Sequence, residues 1–562
     1  MTRPATQPTD QPGAEPHPGE ARHRAPRPSR DLRTARTGPF PRALVAAITI
    51  VWLGVLLTWT FVLPTYRSAD EPAQVSATLS LRYGMDWPGY KQLPIVTNVS
   101  KTRSIAGHTD ADGQYYPLAR EDVVPRATRP PFVVDGEVTT SGTNNLGQHP
   151  PGYYALTAAA SHLTPESTAF DLHVWLLRLV NVLLITPLPW LMALTVHRLG
   201  ADRAGIAVGA ATPLLVPQLG ALGGAVNNEN LAILTGVAMS YLITRVGTGD
   251  QRRRTAVLLG LVLAVGLLAK AWALLFIPVI CLGYLLGAAR TRRWGRALGG
   301  LVTTGALSLL GAWWWVRNYL VFGAVQPAGH LPSRDVPLDP AAALPRFVSA
   351  VAEYVPTRFW AMLSIKHEEA PFPYAVTWAL TVVLLVGLLV LVVRRQSYSA
   401  RRADGLLLAL PFVALIAVLM YSTWSLFLDT GFARGLQGRY LFTGIAAVAG
   451  AFGLGLMGTL RGKLRQVAAL VIVGGGLAFT GLSFVKALEH HWAGETLMGR
   501  LESLGAWSAT PPAVTLACFA VLPLGVVLLI VAGWWGARSS APATDADAPA
   551  GAGSGGSPAR DE

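Results

Sequence analysis

About twelve stretches of this chain stay apolar for roughly 20 residues at a time, the length a helix needs to cross a hydrocarbon core. They lie near 43–64, 172–197, 204–222, 229–246, 254–270, 271–289, 296–316, 374–394, 404–428, 439–460, 465–485 and 513–536. Inside a bilayer such runs satisfy their backbone only as helices. The pattern therefore predicts an all-α polytopic membrane protein of about twelve transmembrane helices. Composition agrees: 51% of the residues are apolar, the mean hydropathy is +0.39, and only 14% are charged, against roughly 25% in soluble proteins. The cut around Lys270 is the least defined, because no polar loop separates the runs on either side of it.

A formal charge of +14 would by itself admit a nucleic-acid partner. Its distribution argues against one. Arginines crowd the N-terminal tail from Arg22 to Arg42 and then every second short loop. Examples are Arg198 and Arg203, Arg252 to Arg254, Arg290 to Arg296, and Arg461 with Lys463 and Arg465. This is the asymmetry that sets membrane orientation. It predicts a multi-pass protein of the cell membrane with both termini cytoplasmic. The first span is too long and Trp-rich for a signal-peptide core and reads as an uncleaved anchor. Residues 1–42 and 537–562 have the composition of disordered tails, leaving 43–536 as one transmembrane domain. Cys281 and Cys518 lie far apart in apolar runs and suggest neither a disulfide framework nor a zinc site.

Three connections on the outer side exceed ordinary loop length: 65–171, 318–373 and 486–512. The first opens with Asp70-Glu71-Pro72. Two adjacent carboxylates at a membrane surface are expensive unless solvated or used. One of them could serve as a general base; capping of the helix begun by Pro72 is the alternative. Further on, Asp110 and Asp112 form an Asp-x-Asp-Gly turn without the other ligands of a calcium loop. They suit substrate contact and leave a divalent metal open. His149, in His-Pro-Pro-Gly-Tyr153-Tyr154, could touch a phosphate or sugar, or simply shape a turn.

Asn227, Asn228, Glu229 and Asn230 cluster at the outer end of one span, where helix capping is the competing role. Lys270 is an intramembrane cation, a type that usually faces a cavity or a partner. Arg317, after three tryptophans, and Arg439, with Arg434 nearby, are outer cations suited to a phosphate. Alternatively, Arg317 anchors an aromatic belt. Glu368 sits in a charged knot, Lys366-His367-Glu368-Glu369, otherwise a solvated turn. No P-loop, dinucleotide fingerprint or His-Glu-x-x-His is present.

The order and side of these motifs resemble the GT-C glycosyltransferases, in particular a bacterial membrane-protein branch related to protein O-mannosyltransferases and aminoarabinose transferases. The strings concerned are Asp70-Glu71-Pro72, His149-Pro-Pro-Gly-Tyr153-Tyr154, Asn227 to Asn230, Trp315-Val-Arg317-Asn318 and Gln437-Gly-Arg439-Tyr440. The resemblance covers about residues 43–485. It implies a hexosyl- or pentosyltransferase using a polyprenyl-phosphate sugar at the outer face, with inversion. Asp70 matches the catalytic base, with Glu71 as its neighbour or substitute. Arg317, Arg439, Lys270 and Arg434 would meet the donor phosphate. His149, Asp110, Asp112, Tyr153, Asn228 and Glu368 would contact substrate. The acceptor could be a glycan, a lipid or a protein. Two departures stand out: Gln74 replaces the His or Arg often found after the acids, and the segment between Tyr90 and Asn144 is long. A lipid-linked saccharide flippase and a non-catalytic envelope-assembly protein are the rival readings, although the two halves show no internal repeat.

Overall fold

The computed structural model describes residues 39–87, 89–106, 115–133, 138–327, 336–365, 372–393 and 401–538. The expected disordered tails therefore lie almost wholly outside the described residues. What is described is a helical membrane protein. Among these residues nine helices are long and apolar enough to cross a bilayer, or up to eleven if each of two bent pairs is one span.

The one expected span outside that count is the fifth, 254–270. It forms Arg253–Ala269, only 17 residues. Lys270 then adopts an extended backbone and a 3₁₀ turn, Ala271–Leu275, follows. The two bent pairs are Arg203–Leu215 with Pro217–Gly223, at 66°, and Gly438–Gly444 with Ala446–Thr459, at 68°. Pro213 and Pro217 explain the first break, since each lacks the N–H that would continue the helix.

Helix α1 (Arg42–Val62) packs against the last span, Pro512–Arg538. A side chain at Gly54 would lie 2.5 Å from the Leu522 backbone, and one at Gly525 would lie 2.7 Å from that of Val51. The two glycines let the first and last spans touch backbone to backbone, the packing mode favoured between membrane helices. α1 is otherwise buried, with Val45, Ile48, Val51, Trp52, Leu56 and Trp59 in the main core.

After α1 the chain turns through Tyr66 and Asp70, both at positive φ, into α2 (Glu71–Arg82). The rest of the first long connection carries a small two-stranded antiparallel ribbon. β1 (Pro94–Val96) pairs with β2 (Thr140–Thr143) in the register Ile95↔Ser141 and Val96↔Thr140. It is a local addition to an otherwise helical fold. Downstream, α3 (Phe170–Ile185), α4 (Glu229–Gly247) and α5 (Arg253–Ala269) bring their loop-side ends toward α2. The span expected at 296–316 runs on as Trp294–Phe322, so Arg317 lies within a helix. The second long connection holds the helix Pro340–Trp360, and the third holds Leu497–Trp507.

Candidate functional site

Four charged side chains from four separate segments meet at the loop-bearing end of the bundle. Asp70 Oδ2 accepts from Arg439 Nη2 at 2.5 Å. Arg439 Nε lies 3.7 Å from Glu229 Oε1, and the same oxygen accepts from Lys270 Nζ at 2.5 Å. Two anions and two cations thus form one chain of contacts. Three of the four are buried, whereas the Asp70 side chain keeps 52% of its surface. Buried charges persist only when paired and hydrogen-bonded, so the quartet holds together as a unit.

Local structure explains each placement. Asp70 sits at the N-cap of α2 with φ 60°, and its side chain makes no capping bond. The capping role expected as its alternative is therefore not what it performs. Left-handed backbone at a non-glycine residue is strained and concentrates at functional positions. Glu229 begins α4, and Lys270 ends α5 where the helix stops. Arg439 follows Gly438, where a side chain would come 2.3 Å from the Phe359 nitrogen. Only glycine admits that approach, and the approach carries Arg439 inward.

Around the quartet are buried polar atoms without a hydrogen-bond partner: Arg439 Nε and Nη1, Glu229 Oε2, Gln74 Oε1, Asn228 Nδ2, Tyr154 Oη, His149 Nδ1 and Trp272 Nε1. Such groups are rare in folded proteins, and each calls for a reason. Here they crowd one place. Lys270 Nζ lies 4.8 Å from the Tyr440 ring centre, and Trp272 packs on that ring. Gln74 Nε2 donates to Asn228 Oδ1 at 3.3 Å.

Burial, reinforced by the Lys270 ammonium, pushes the His149 imidazole down to about 3 from its usual 6.5. His149 is thus a neutral ring in the folded protein. Between about pH 6.5 and pH 3 the unfolded chain takes up a proton here that the folded chain refuses. Stability from this residue is therefore complete above pH 6.5 and declines as the pH falls through that window. We expect His149→Gln to flatten the acid side of a stability–pH curve measured by thermal unfolding in nanodiscs; parallel curves would refute the assignment. Burial, then Tyr153 and the carboxylates of Asp70 and Glu229, raise the Tyr154 hydroxyl well above its ordinary value.

Other residues singled out by sequence are placed differently. Glu71 is fully buried. Its two oxygens accept from Arg178 Nε and Nη2 at 2.8 and 2.7 Å, and from the Tyr66 and Val226 backbone N–H groups. This corrects its reading as a second base: it is a closed structural anchor. Tyr153, expected to contact substrate, is buried and donates to Asn181 Oδ1 at 2.9 Å. Its neighbour Tyr154 faces the quartet instead. Asn227 holds the turn, donating to the Ala69 carbonyl and accepting from Glu229 N–H.

Arg317 reaches the first long connection from outside, its guanidinium 4.9 Å from the Trp314 ring centre. A side chain at Gly89 would lie 3.4 Å from Arg317 Nη1, and nearby Trp87 donates to the His149 carbonyl at 3.0 Å. Arg434 is exposed and lies over the Phe432 ring. Asp110, Asp112 and Glu368 lie outside the described residues. Among the described residues no group of three or more His, Cys, Asp or Glu side chains could hold a metal ion. Glu229, Tyr154 and Arg178 were missed as individuals by sequence reasoning. Arg178, inside an apolar run, could have been found by the rule that intramembrane charges have partners.

Residues 53–448 match the family described as predicted membrane protein (DUF2142). No curated protein matches the chain. Among solved structures it is similar to the apo oligosaccharyltransferase of Archaeoglobus fulgidus, at 12% identity over 83% of this chain and 56% of that one, with a TM-score of 0.39. The oligosaccharyltransferase AglB of the same organism, in complex with an inhibitory peptide and a dolichol-phosphate, is similar at 11% identity over 80% of this chain and 56% of that one, with a TM-score of 0.40. Arabinosyltransferase EmbB of Mycobacterium smegmatis is similar at 15% identity over 86% of this chain and 41% of that one, with a TM-score of 0.39. This chain thus spans about half the length of those proteins, or less.

Proposed function

The chain belongs to the DUF2142 family of predicted membrane proteins, and we propose that it is a GT-C-type glycosyltransferase, moving a sugar from a polyprenyl-phosphate donor to an extracytoplasmic acceptor with inversion. The observation that carries this reading is the half-exposed Asp70 carboxylate, joined to a buried cation whose Nη1 has no hydrogen-bond partner. Arg439 donates Nη2 to Asp70 and keeps Nε and Nη1 without hydrogen-bond partners. One guanidinium can therefore orient the base through Nη2 and offer Nη1 to a phosphate, a charge-assisted hydrogen bond.

The chemistry follows from those positions. Asp70 accepts the proton of an acceptor hydroxyl as its oxygen attacks the anomeric carbon. The bond from that carbon to the phosphate oxygen breaks, and the phosphate leaves with the electron pair. Arg439 and Lys270 stabilise the charge that develops on the leaving group, an effect that is large where water is excluded. Glu229 holds Lys270 in place. The unpartnered amides, the indole and the Tyr154 hydroxyl suit the many hydroxyls of a sugar. On the orientation expected from the arginine-rich loops, this end of the bundle faces the outside of the cell.

Two measurements test the reading. Purified protein in proteoliposomes should release polyprenyl phosphate from a polyprenyl-phosphate sugar as a glycoside forms. Intact donor crossing the bilayer without bond cleavage would sink the transferase reading in favour of a flippase. Arg439→Lys keeps the charge and loses the planar set of N–H donors, Nη1 among them. It should weaken binding of a fluorescent polyprenyl phosphate by about 10- to 100-fold, the scale of hydrogen bonds to charged groups. Unchanged affinity would remove Arg439 from the donor site.

A further inference from the structure

Five arginines gather at the end of the bundle opposite the quartet. α5 runs from Arg253 to the stop at Lys270, so its first turn lies about 25 Å from the site, at 1.5 Å per residue over 17 residues. The loop before α5 and the loop before Trp294–Phe322 are tied together. Arg290 Nη1 donates to the Gly247 carbonyl at 2.7 Å and to Asp404 Oδ1 at 2.5 Å. A side chain at Gly249 would lie 2.8 Å from Thr291 Cγ2. Arg245 is likewise engaged with Asp250, and Arg465 with Asp202. Arg253, Arg254, Arg292, Arg293 and Arg296 differ from these. All five are exposed, and none has a side-chain partner among the described residues.

As sequence, these arginines are an orientation signal. Their placement asks for more. α5 and Trp294–Phe322 lie parallel and close: a side chain at Gly260 would come 2.8 Å from the Thr304 carbonyl oxygen, and one at Gly311 would come 2.1 Å from that of Ala264. Neither helix has an acid in its first turn or a side-chain cap at its start. Cations therefore sit at the positive ends of two helix dipoles, an arrangement that costs free energy until an anion joins it.

The surface beside the arginines selects the anion. The seam between the two helices runs along Ala256, Gly260 and Ala264 on one and Thr304 and Gly311 on the other. At about 100° per residue, Arg254 and Arg296 fall on the same side of that seam. Toward the membrane middle, Arg254 is followed by Leu258, Leu261 and Val265, one helical stripe and all exposed. Arg296 is followed by Gly299, Ala306 and Leu310, also exposed, and nothing lies within 4 Å of a side chain built at Gly299. The two stripes form a shallow apolar strip capped by guanidinium groups. A soluble polyanion gains nothing from such a strip. A phospholipid lays its chains along it and brings its phosphate to the arginines, whose planar donors suit phosphate oxygens. We infer that this face binds an anionic phospholipid of the adjoining leaflet, with Arg254 and Arg296 on its headgroup. The site is separate from the quartet and holds whether or not the protein transfers sugar.

Native mass spectrometry of the full chain in detergent counts retained lipids directly. Phosphatidylglycerol should be retained in preference to phosphatidylcholine, which carries a phosphate and no net charge. Arg254→Gln with Arg296→Gln should weaken the first bound phosphatidylglycerol by about 25-fold, fivefold for each arginine near a membrane surface. Arg461→Gln with Lys463→Gln removes the same charge from another exposed loop and should leave that binding intact. Equal losses in the two double variants, or no preference for phosphatidylglycerol in the unaltered chain, would overturn the inference. Glycerophosphoglycerol, the same headgroup without chains, should fail to displace the lipid; displacement would assign the arginines to a soluble anion and defeat the proposal. Should the glutamine variant fail to insert, Arg254→Lys with Arg296→Lys keeps every charge and should weaken binding about 3- to 10-fold by losing the planar donors. Unchanged affinity in that variant would count equally against the site.

Discussion

Asp70→Asn is expected to insert, fold and bind donor as the unaltered chain does, and to transfer sugar about 10²- to 10⁴-fold more slowly, the range general-base catalysis supplies. The substitution is well suited to isolate that role. Asparagine tolerates the left-handed backbone Asp70 adopts, φ 60°. The native side chain makes no capping bond, so α2 loses no cap. Half of the side chain is exposed, so burial contributes little there. What disappears is a negative charge able to take a proton, together with the charged half of the contact with Arg439. Rates of glycoside formation and equilibrium donor binding should be measured on the same preparation. Full transfer activity in Asp70→Asn would end the assignment of Asp70 as base, while joint loss of binding and folding would make it structural.

Arg178→Met should have the largest effect on stability, about 3–5 kcal/mol, the scale for removing one partner of a buried ion pair. Arg178 is the hub beneath the site. It donates to both oxygens of Glu71 and to the carbonyls of Thr60, Leu63 and Pro64. Those carbonyls close the end of α1 and start the turn that leads to Asp70. Without the guanidinium, a fully buried carboxylate and three backbone acceptors lose their donor at once. Thermal unfolding in nanodiscs should drop sharply. Glu71→Gln combined with Arg178→Met should be no worse than Arg178→Met alone, because coupled neighbours do not add. A near-normal unfolding temperature for Arg178→Met would show that Glu71 is not held by this pair, returning it as a rival to Asp70.

The contrast between Asp70 and Glu71 marks the limit of reading this chain from its residues. Adjacent acids at a helix start look alike in sequence. One step along the backbone turns the first toward solvent and Arg439, and the second into a cage built by Arg178 of α3 and the Tyr66 and Val226 backbone. Tyr153 and Tyr154 repeat the lesson. Neighbours on a helix point about 100° apart, from 3.6 residues per turn, so one hydroxyl reaches Asn181 and the other faces the charged quartet. Which does which depends on how that helix is rotated against its surroundings. The sequence also suggests too short a helix at Trp294–Phe322, because Arg317 and Asn318 look like an end when the tryptophans form an interface belt. Trp315 in fact donates inward to the Leu267 carbonyl at 2.8 Å.

Hydropathy and charge placement are local, and a window of about 20 residues measures them completely. The apolar runs, their helical state and the alternating arginine loops were therefore determined by the sequence alone. So was the short set of polar residues out of place in such a chain, including Asp70, Lys270 and Arg439. Their convergence was not. Asp70 and Arg439 stand 369 positions apart, and Lys270 and Glu229 stand 41 apart. Only the packing of bent and broken helices brings those charges within hydrogen-bond distance. Pairing is a property of that packing, because a buried charge takes whichever partner the folded bundle sets beside it.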